Sequence, residues 1–147
     1  LIFANQIIEH LVYPELMLRN LAAKLKPGGR LVVTTPNGQY IRNALPSYRE
    51  LGNPKDWEHL QFTADGDGHF FAYRAAELVA CFPRTLFSEV TLRYFETPWV
   101  SGHAKVRFVQ PLVGERLCRA LDRATLAVPL LARPLAHQLM VLARKSG

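Results

Sequence analysis

The sequence has few cysteines and no long hydrophobic run, and each shortage excludes a class of protein. Its 147 residues include two cysteines, Cys81 and Cys118. That is too few for a disulfide scaffold and typical of a reducing compartment, so we expect a cytoplasmic location. The longest uncharged runs, 31–41 and 134–143, have roughly half the length of a membrane-spanning helix. Bulk disorder is excluded as well, because 49% of the residues are hydrophobic.

Motifs for metal binding and nucleophilic catalysis are also lacking. No C-x-x-C or H-x-x-x-H spacing is present to indicate zinc. Asp65 and Asp67 are similar to the start of a calcium loop, but no glutamate occupies its twelfth position. No G-x-S-x-G sequence supports a Ser-His-Asp nucleophile. We therefore expect no metal site and no serine-hydrolase chemistry.

Acidic residues are scarce at the end of the chain. Residues 98–147 contain eight Lys or Arg against two acids, whereas residues 1–97 balance ten against ten, so the net charge of +6 arises in the last fifty residues. This pattern favours a solvated basic helix face, with an anionic membrane surface or an acidic partner as the alternative. The basic residues occur singly or in pairs, and Phe108 is the only aromatic residue after Trp99. We therefore expect no nucleic-acid binding.

Hydrophobic periodicity predicts alternating strands and helices. The predicted strands cover 1–4, 30–35, 88–95 and 137–144. The predicted helices cover 14–26, a short stretch around 41–51, 73–82, and an amphipathic stretch at 111–128 that Pro129 and Pro134 interrupt. This order predicts an α/β sheet with helices on its faces. Because such sheets bind ligands at the carboxyl ends of their strands, the residues after Ala4, Thr35 and Phe95 are expected around any site.

Two blocks of sequence carry a resemblance to a known family. The first reads F-A-N-Q-I-I-E-H-L at 3–11, then Pro14, then L-K-P-G-G at 25–29, a strand, and T-P-N at 35–37. This combination resembles class I S-adenosylmethionine (SAM)-dependent methyltransferases, from the fourth to the fifth strand of their Rossmann-like fold. The second block, 68–78, is similar to the family's G-H-x-x-x-(F/Y)-(T/S)-x-x-E-L segment, with Arg74 where a helix-capping Thr or Ser is common.

The resemblance implies a partial Rossmann-like α/β fold, with strands four to seven, flanking helices and an antiparallel last strand. The family's glycine-rich cofactor loop and its ribose-binding acid have no match here, and the first residue is not methionine. We therefore expect 1–147 to be the C-terminal portion of one methyltransferase domain, inactive alone, without most of the cofactor pocket and with an exposed sheet edge. Within it we expect a lid-like substrate loop at 39–70 and a basic helical insertion at 111–134.

The resemblance also implies roles for residues near the cofactor SAM. Asn5, Gln6 and His10 follow the fourth strand and are expected to line the cofactor cavity. His10 and His69 are the candidate catalytic residues, because histidine titrates near neutral pH and suits a general base. The alternatives are a structural role for His10 at the helix entry and a loop-stabilising hydrogen bond for His69.

Other residues are expected to contact the substrate or to stabilise the fold. Asn37, Tyr40 and Phe70 are the candidate substrate-binding residues. Four aromatic residues either form an apolar substrate wall or pack the lid: Trp57, Phe62, Phe70 and Phe71. Glu9 is expected to be structural, with a hydrogen bond to the backbone. Three histidines are expected to be surface or satisfied residues: His59, His103 and His137.

The function implied by the resemblance is SAM-dependent methyl transfer to a small-molecule or lipid-like acceptor. Oxygen, nitrogen and carbon remain open as the methylated atom. The alternative is a non-catalytic interaction or membrane-surface module that uses the basic C-terminal helix. Peripheral membrane contact is compatible with both.

Overall fold

The computed structural model describes residues 1–61, 69–103 and 105–147. Its four strands are β1 (Ile2–Asn5), β2 (Arg30–Pro36), β3 (Phe87–Phe95) and β4 (Gln138–Lys145). Its α-helices are α1 (Pro14–Lys24), α2 (Ala75–Ala80), α3 (Pro98–Ser101), α4 (Gln110–Val113), α5 (Glu115–Ala127) and α6 (Pro129–Leu135). Short 3₁₀ turns cover Ile8–His10, Tyr48–Leu51, Pro54–Leu60 and Val106–Phe108. Within the described ranges, no helix is both long and apolar enough to cross a bilayer.

The four strands form one mixed sheet in the order β1-β2-β4-β3. β1 and β2 are parallel, and β4 lies antiparallel to both of its neighbours. The expected antiparallel last strand is therefore confirmed. β1 lies at one edge of the sheet, where Phe3 is 61% exposed. An edge strand of this kind presents unpaired backbone groups, which fits the expectation of an exposed sheet edge.

Helix α1 follows the predicted boundaries closely. Pro14 occupies its first turn, where the missing N–H has no helical partner to lose. Leu18 and Ala22, four residues apart, are buried against the sheet. The turn after the helix passes through Gly28 with φ of +71°, a conformation that glycine adopts without strain. Gly28 therefore belongs to the turn between α1 and β2, as predicted.

The core fills the space between the sheet and α1, α2 and the loop after β2. Its largest fully buried side chains are Tyr73, Phe71, Phe87, Ile8, Leu18, Leu31, Leu78 and Leu139. The strands alternate accordingly, with Leu31 and Val33 on β2 and Leu139 and Val141 on β4 fully buried. This packing fixes the register that aligns the carboxyl end of β2 with the start of β4.

Helix α2 is shorter than predicted, because the residues before it are extended. Ala72 and Tyr73 form bridges with Ser47 and Asn37 and cannot also be helical. At the helix start, the Arg74 side chain makes no capping bond, as expected from the sequence. Glu77 supplies the acceptor instead, since its Oε2 receives the Arg74 N–H at 2.9 Å.

Two other predicted helices are wrong in extent. The stretch 41–51 contains only the 3₁₀ turn Tyr48–Leu51, because Pro46 disfavours a helical conformation just before it. The stretch 111–128 divides at Gly114, whose φ of +82° interrupts the helix between α4 and α5. Pro129 begins α6, and Pro134 lies inside it rather than ending it.

The apolar stripe predicted for 111–128 is not the buried face of α5. Leu117 is 52% exposed and Val128 is 44% exposed, whereas Cys118 is the buried residue of the helix. Glu115 and Arg119, four residues apart on α5, form an ion pair at 2.7 Å on the exposed surface.

Candidate functional site

The carboxyl ends of β1 and β2 meet the start of β4 at one edge of the sheet. There the Gln6 N–H donates to the Thr34 carbonyl at 3.1 Å, and Thr34 Oγ1 donates to Asn5 Oδ1 at 2.6 Å. Gln6 Nε2 donates to Gln138 Oε1 at 2.5 Å. Polar side chains from three strands are thus joined in one network at the end of the sheet where α/β folds bind ligands.

Gln6 has an unusual backbone. Its φ of +53° lies in the left-handed region, which residues other than glycine, asparagine and aspartate rarely adopt. Such strain costs about 1–3 kcal/mol and is concentrated at functional sites. The strained residue follows β1 directly and precedes the 3₁₀ turn at Ile8–His10. The chain therefore turns so that Glu9 reaches Thr35 at the end of β2.

Glu9, His10 and His69 converge beside this network. The Glu9 side chain is 0% exposed, although it carries a carboxyl group. Its Oε2 accepts a hydrogen bond from Thr35 Oγ1 at 3.0 Å, while its Oε1 has no hydrogen-bond partner in the described ranges. His69 Nε2 lies 3.8 Å from that oxygen, and the rings of His10 and His69 lie 4.6 Å apart.

Opposing effects act on the Glu9 carboxyl. Burial raises its pKa above the ordinary value, because a charged carboxylate loses solvation there. A backbone hydrogen bond, the Thr35 hydroxyl and the two histidines each lower it, but burial dominates. The site therefore holds a carboxyl group that a proton or another cation would stabilise.

A second group of rings lies on the other side of the network, next to Gln138. The His137 ring contacts Tyr40 at a centroid distance of 4.3 Å and His103 at 4.2 Å. Burial, followed by His103, lowers the pKa of His137 to about 4, so His137 is neutral near pH 7. Among the described residues, neither His137 Nε2 nor the Tyr40 hydroxyl finds a hydrogen-bond partner.

His137 corrects one expectation from the sequence. It was expected to be a surface or satisfied histidine, but it is buried and its Nε2 is unsatisfied. The apolar neighbours of His137 on β4, Leu139 and Val141, belong to the core, which draws the start of the strand inward. His59, by contrast, lies on the exposed surface, as expected.

Asn37 lies at the centre of this edge of the sheet and is buried. Its Nδ2 donates to the carbonyls of Arg133 and Ala136 at 2.9 and 2.8 Å, and its Oδ1 accepts from the Gln39 N–H at 3.0 Å. These bonds tie the loop after β2 to the end of α6. Substrate contact by Asn37 stays a prediction, and the bonds assign it a structural role in addition.

The aromatic residues of the predicted lid pack against the core. Trp57 and Phe70 are nearly parallel with centroids 6.1 Å apart, and Phe70 meets Phe71 edge-on at 5.0 Å. Phe71 is fully buried, whereas Trp57 and Phe70 are partly buried. Phe62, Asp65 and Asp67 lie outside the described residues. Phe70 is therefore positioned between core and site, and its substrate contact stays a prediction.

The structure brings together some of the sequence-predicted residues and adds others. Asn5 and Gln6 meet at the end of β1, and His10 meets His69 across the loop. Glu9 was expected to be merely structural, and its free buried oxygen was not foreseen. The sequence feature that could have indicated a functional role for Glu9 is its position between the end of a strand and His10, in the block that carries the family resemblance.

Comparisons with known proteins identify relatives of this arrangement. Residues 1–88 match the sequence profile of a family described as "Methyltransferase domain". No curated protein matches the chain. A solved structure of a SAM-dependent methyltransferase from Archaeoglobus fulgidus superposes with a TM-score of 0.51 and 19% identity, over 97% of this chain and 57% of that one. A solved structure of a SAM-dependent methyltransferase from Mesorhizobium loti superposes with a TM-score of 0.47 and 17% identity. The match covers 97% of this chain and 59% of that one.

The Archaeoglobus structure confirms the fold as Rossmann-like α/β. Because the chain spans only 57% of the length of the Archaeoglobus protein, the fold seen here is a partial one. The match to the family profile covers β1, α1, β2 and α2 and therefore includes Glu9, His10 and His69.

Proposed function

Because the chain belongs to the methyltransferase-domain family, we propose that it forms the acceptor side of a SAM-dependent methyltransferase that acts on a small-molecule or lipid-like substrate. The observation that supports this most is the convergence of Gln6, Glu9, His10 and His69 at the carboxyl ends of β1 and β2. Methyl transfer needs a nucleophile held in line with the methyl group, and a titratable group near it assists when the nucleophile is a hydroxyl.

The side chains present fit one wall of a cofactor site. SAM, when bound, supplies a methyl group carried on a positively charged sulfur. Asn5, Gln6 and His10 would hold one side of it, and the strained backbone of Gln6 is the feature that fits such a role. The sequence contains no glycine-rich loop after a strand and no ribose-binding acid to form the opposite wall.

The histidine pair His10–His69 and the ring cluster of Tyr40, His103 and His137 have different roles in this proposal. His69 is 36% exposed and faces the buried Glu9, so it is placed to take a proton from an acceptor and to return it to solvent. The cluster of Tyr40, His103 and His137 would lie beside the acceptor. The Tyr40 hydroxyl and His137 Nε2 are its groups that would bond to the acceptor, because both are buried without a hydrogen-bond partner among the described residues.

We expect the 147-residue chain to give no measurable heat on calorimetric titration with S-adenosylhomocysteine. One wall of the cofactor site supplies too few contacts to offset the entropy lost on binding. A protein in which this chain is joined to a domain half that carries the opposite wall is expected to bind it saturably. The His69→Asn variant of that protein is expected to bind it while losing methyl transfer. Saturable binding to the 147-residue chain alone would contradict the half-site proposal and would point to a pocket completed by a second copy.

A second function, membrane-surface binding, is favoured by the basic helical insertion. Leu112 and Leu130 are 88% and 86% exposed, and Phe108 is also exposed. Three arginines on α5, which lies between α4 and α6 in the chain, are also exposed: Arg116, Arg119 and Arg123. Apolar side chains next to cationic ones are typical of helices that lie on anionic lipid. We propose that this surface holds the enzyme at a membrane that carries a lipid-like acceptor.

Reversing the charge of Arg116, Arg119 and Arg123 to glutamate is expected to abolish binding to vesicles that contain anionic lipid. The reason is that each basic residue near such a surface contributes about 1 kcal/mol of attraction. Co-sedimentation at low ionic strength measures the effect. A control with the same change in net charge, Arg19, Lys26 and Arg84 to glutamate, is expected to retain binding. Equal loss in both variants would show a mere net-charge effect, and unchanged binding by the α5 variant would refute the membrane proposal.

A further inference from the structure

Glu9, His10 and His69 place three possible metal-ligand atoms close together. One carboxylate oxygen and one ring nitrogen from each histidine lie within 4.8 Å of one another. A metal ion with bonds of about 2.0–2.2 Å holds neighbouring ligand atoms roughly 3–4 Å apart, so a contraction of about 1 Å is enough. We propose that this cluster binds a divalent transition-metal ion through Glu9 Oε1 and one nitrogen of each histidine.

The state of the Glu9 carboxyl group is an independent observation that points to a cation. Its Oε1 is buried and has no hydrogen-bond partner among the described residues, whereas its Oε2 is held by Thr35 Oγ1 at 3.0 Å. His69 Nε2 lies at 3.8 Å from Oε1, within ion-pair distance but beyond a hydrogen bond. A buried carboxylate oxygen without a hydrogen bond costs free energy unless a cation or a donor reaches it. The bond from Thr35 resembles the outer-sphere contacts that orient carboxylate ligands in metal sites.

The three ligand atoms must move closer together to bind an ion, and His69 is the ligand whose side chain can move. Glu9 and His10 are neighbours in a short 3₁₀ turn, so their positions are fixed by the end of β1. His69 comes from the loop before α2 and is 36% exposed, so its side chain can turn without disturbing the core. Rotation of the His69 ring toward Glu9 is therefore the movement that would complete the site.

The ligand types select the class of ion. Two imidazole nitrogens with one carboxylate suit Zn²⁺, Fe²⁺, Co²⁺ or Mn²⁺, whereas Mg²⁺ and Ca²⁺ prefer oxygen ligands throughout. Three protein ligands leave coordination positions open to water or to a bound molecule, as in catalytic rather than structural sites. The sequence predicted no metal site, because it has no cysteine pair, no regularly spaced histidines and no complete calcium loop.

The site also narrows the class of acceptor, a step that rests on the proposed function. An ion at the carboxyl ends of β1 and β2 would bind an acceptor through oxygen at an open position. A hydroxyl bound there loses its proton to water, because the ion lowers the pKa of the hydroxyl. With the ion bound, His69 is a ligand, so water and not His69 takes the proton. The acceptor would then be an alcohol or phenol, including a hydroxylated lipid, rather than an amine or a carbon acid.

Titration of the metal-free, untagged 147-residue chain with Co²⁺ tests the metal site directly. We expect one Co²⁺ per chain, visible absorption bands typical of nitrogen and oxygen ligands, and a dissociation constant below about 10 µM at pH 7.5. Zn²⁺ is expected to displace the Co²⁺ and abolish the bands. Neither SAM nor an acceptor is present, so the result does not depend on methyl transfer.

Single substitutions identify the ligands. Glu9→Gln and His69→Asn are each expected to weaken Co²⁺ binding more than about 100-fold, and Thr35→Val about 10-fold through the loss of carboxylate orientation. His59→Asn is the matched control, since it removes an exposed histidine elsewhere, and it is expected to bind as the unaltered chain does. If Glu9→Gln fails to fold, the His69→Asn variant still tests the proposal, because His69 is partly exposed and its replacement leaves the core unchanged.

The possible outcomes separate this proposal from the proposed function. The absence of saturable Co²⁺ binding, or binding that persists in His69→Asn, would overturn the metal site. Glu9 and His69 would then form only the contact at 3.8 Å that the structure shows, which leaves metal-independent methyl transfer intact. Conversely, binding with the expected ligands would establish the metal site even if a protein that also carries the opposite wall lacked methyltransferase activity.

Discussion

Replacing Leu18 by alanine should lower the free energy of unfolding by about 2–5 kcal/mol. Leu18 is fully buried on the inner face of α1, where that helix covers β1 and β2. Truncation removes three carbon atoms from a closely packed region, which loses both transfer free energy and contacts around the cavity. Urea denaturation followed by circular dichroism measures the change.

Leu16 on the same helix provides the matched control. It is 54% exposed, so Leu16→Ala removes the same atoms from a largely solvated position. The expected change is within about 0.5 kcal/mol, because alanine also has the higher helix propensity. Similar losses in the two variants would mean that α1 does not pack on the sheet through the face described.

The boundaries of α1 and β2 could be predicted from the sequence because local signals decide them. Pro14 is suited to a first helical turn, and Gly28 to a turn with positive φ. The run 30–35 lacks a regular apolar and polar alternation, which is typical of a buried strand. β2 indeed lies between β1 and β4, and four of its residues are buried: Leu31, Val33, Thr34 and Thr35. These features depend on residues within a few positions of one another.

Features that depend on tertiary contact could not be predicted in the same way. α2 begins at Ala75 rather than 73 because Tyr73 pairs with Asn37, a residue far away in the sequence. Helix propensity carries no information about such pairing. Likewise, the break at Gly114 depends on a backbone conformation that glycine permits but does not require.

The candidate site illustrates the same limit. The resemblance led to His10 and His69 as separate candidates, each with a structural alternative. Their contact with each other and with the buried Glu9 arises only when the loop before α2 folds back over the end of β1. A free buried carboxylate oxygen is a property of packing, so no sequence pattern predicts it.

Asn37→Asp should destabilise the protein by about 3–5 kcal/mol near neutral pH. In the native chain, Asn37 Nδ2 donates to the carbonyls of Arg133 and Ala136. The aspartate has nearly the same shape, but an ionised carboxylate oxygen would face those two carbonyl oxygens at about 3 Å, buried and without a donor. The connection between the loop after β2 and the end of α6 would then open, and with it the side of the site that carries Tyr40.

The pH dependence of this variant gives the prediction its sharpest test. Burial beside two acceptors raises the pKa of the introduced carboxyl in the folded state above its unfolded value, so the penalty is present at high pH and is relieved as the pH falls. The stability difference from the native chain should therefore shrink between pH 8 and pH 5, as the protonated carboxyl regains one donor. Asn20→Asp, the same change on the exposed face of α1, is expected to alter stability by less than about 0.5 kcal/mol at each pH. A penalty for Asn37→Asp that stayed constant with pH would show that the carboxylate finds solvent or a donor, and that Asn37 does not tie β2 to α6 as described.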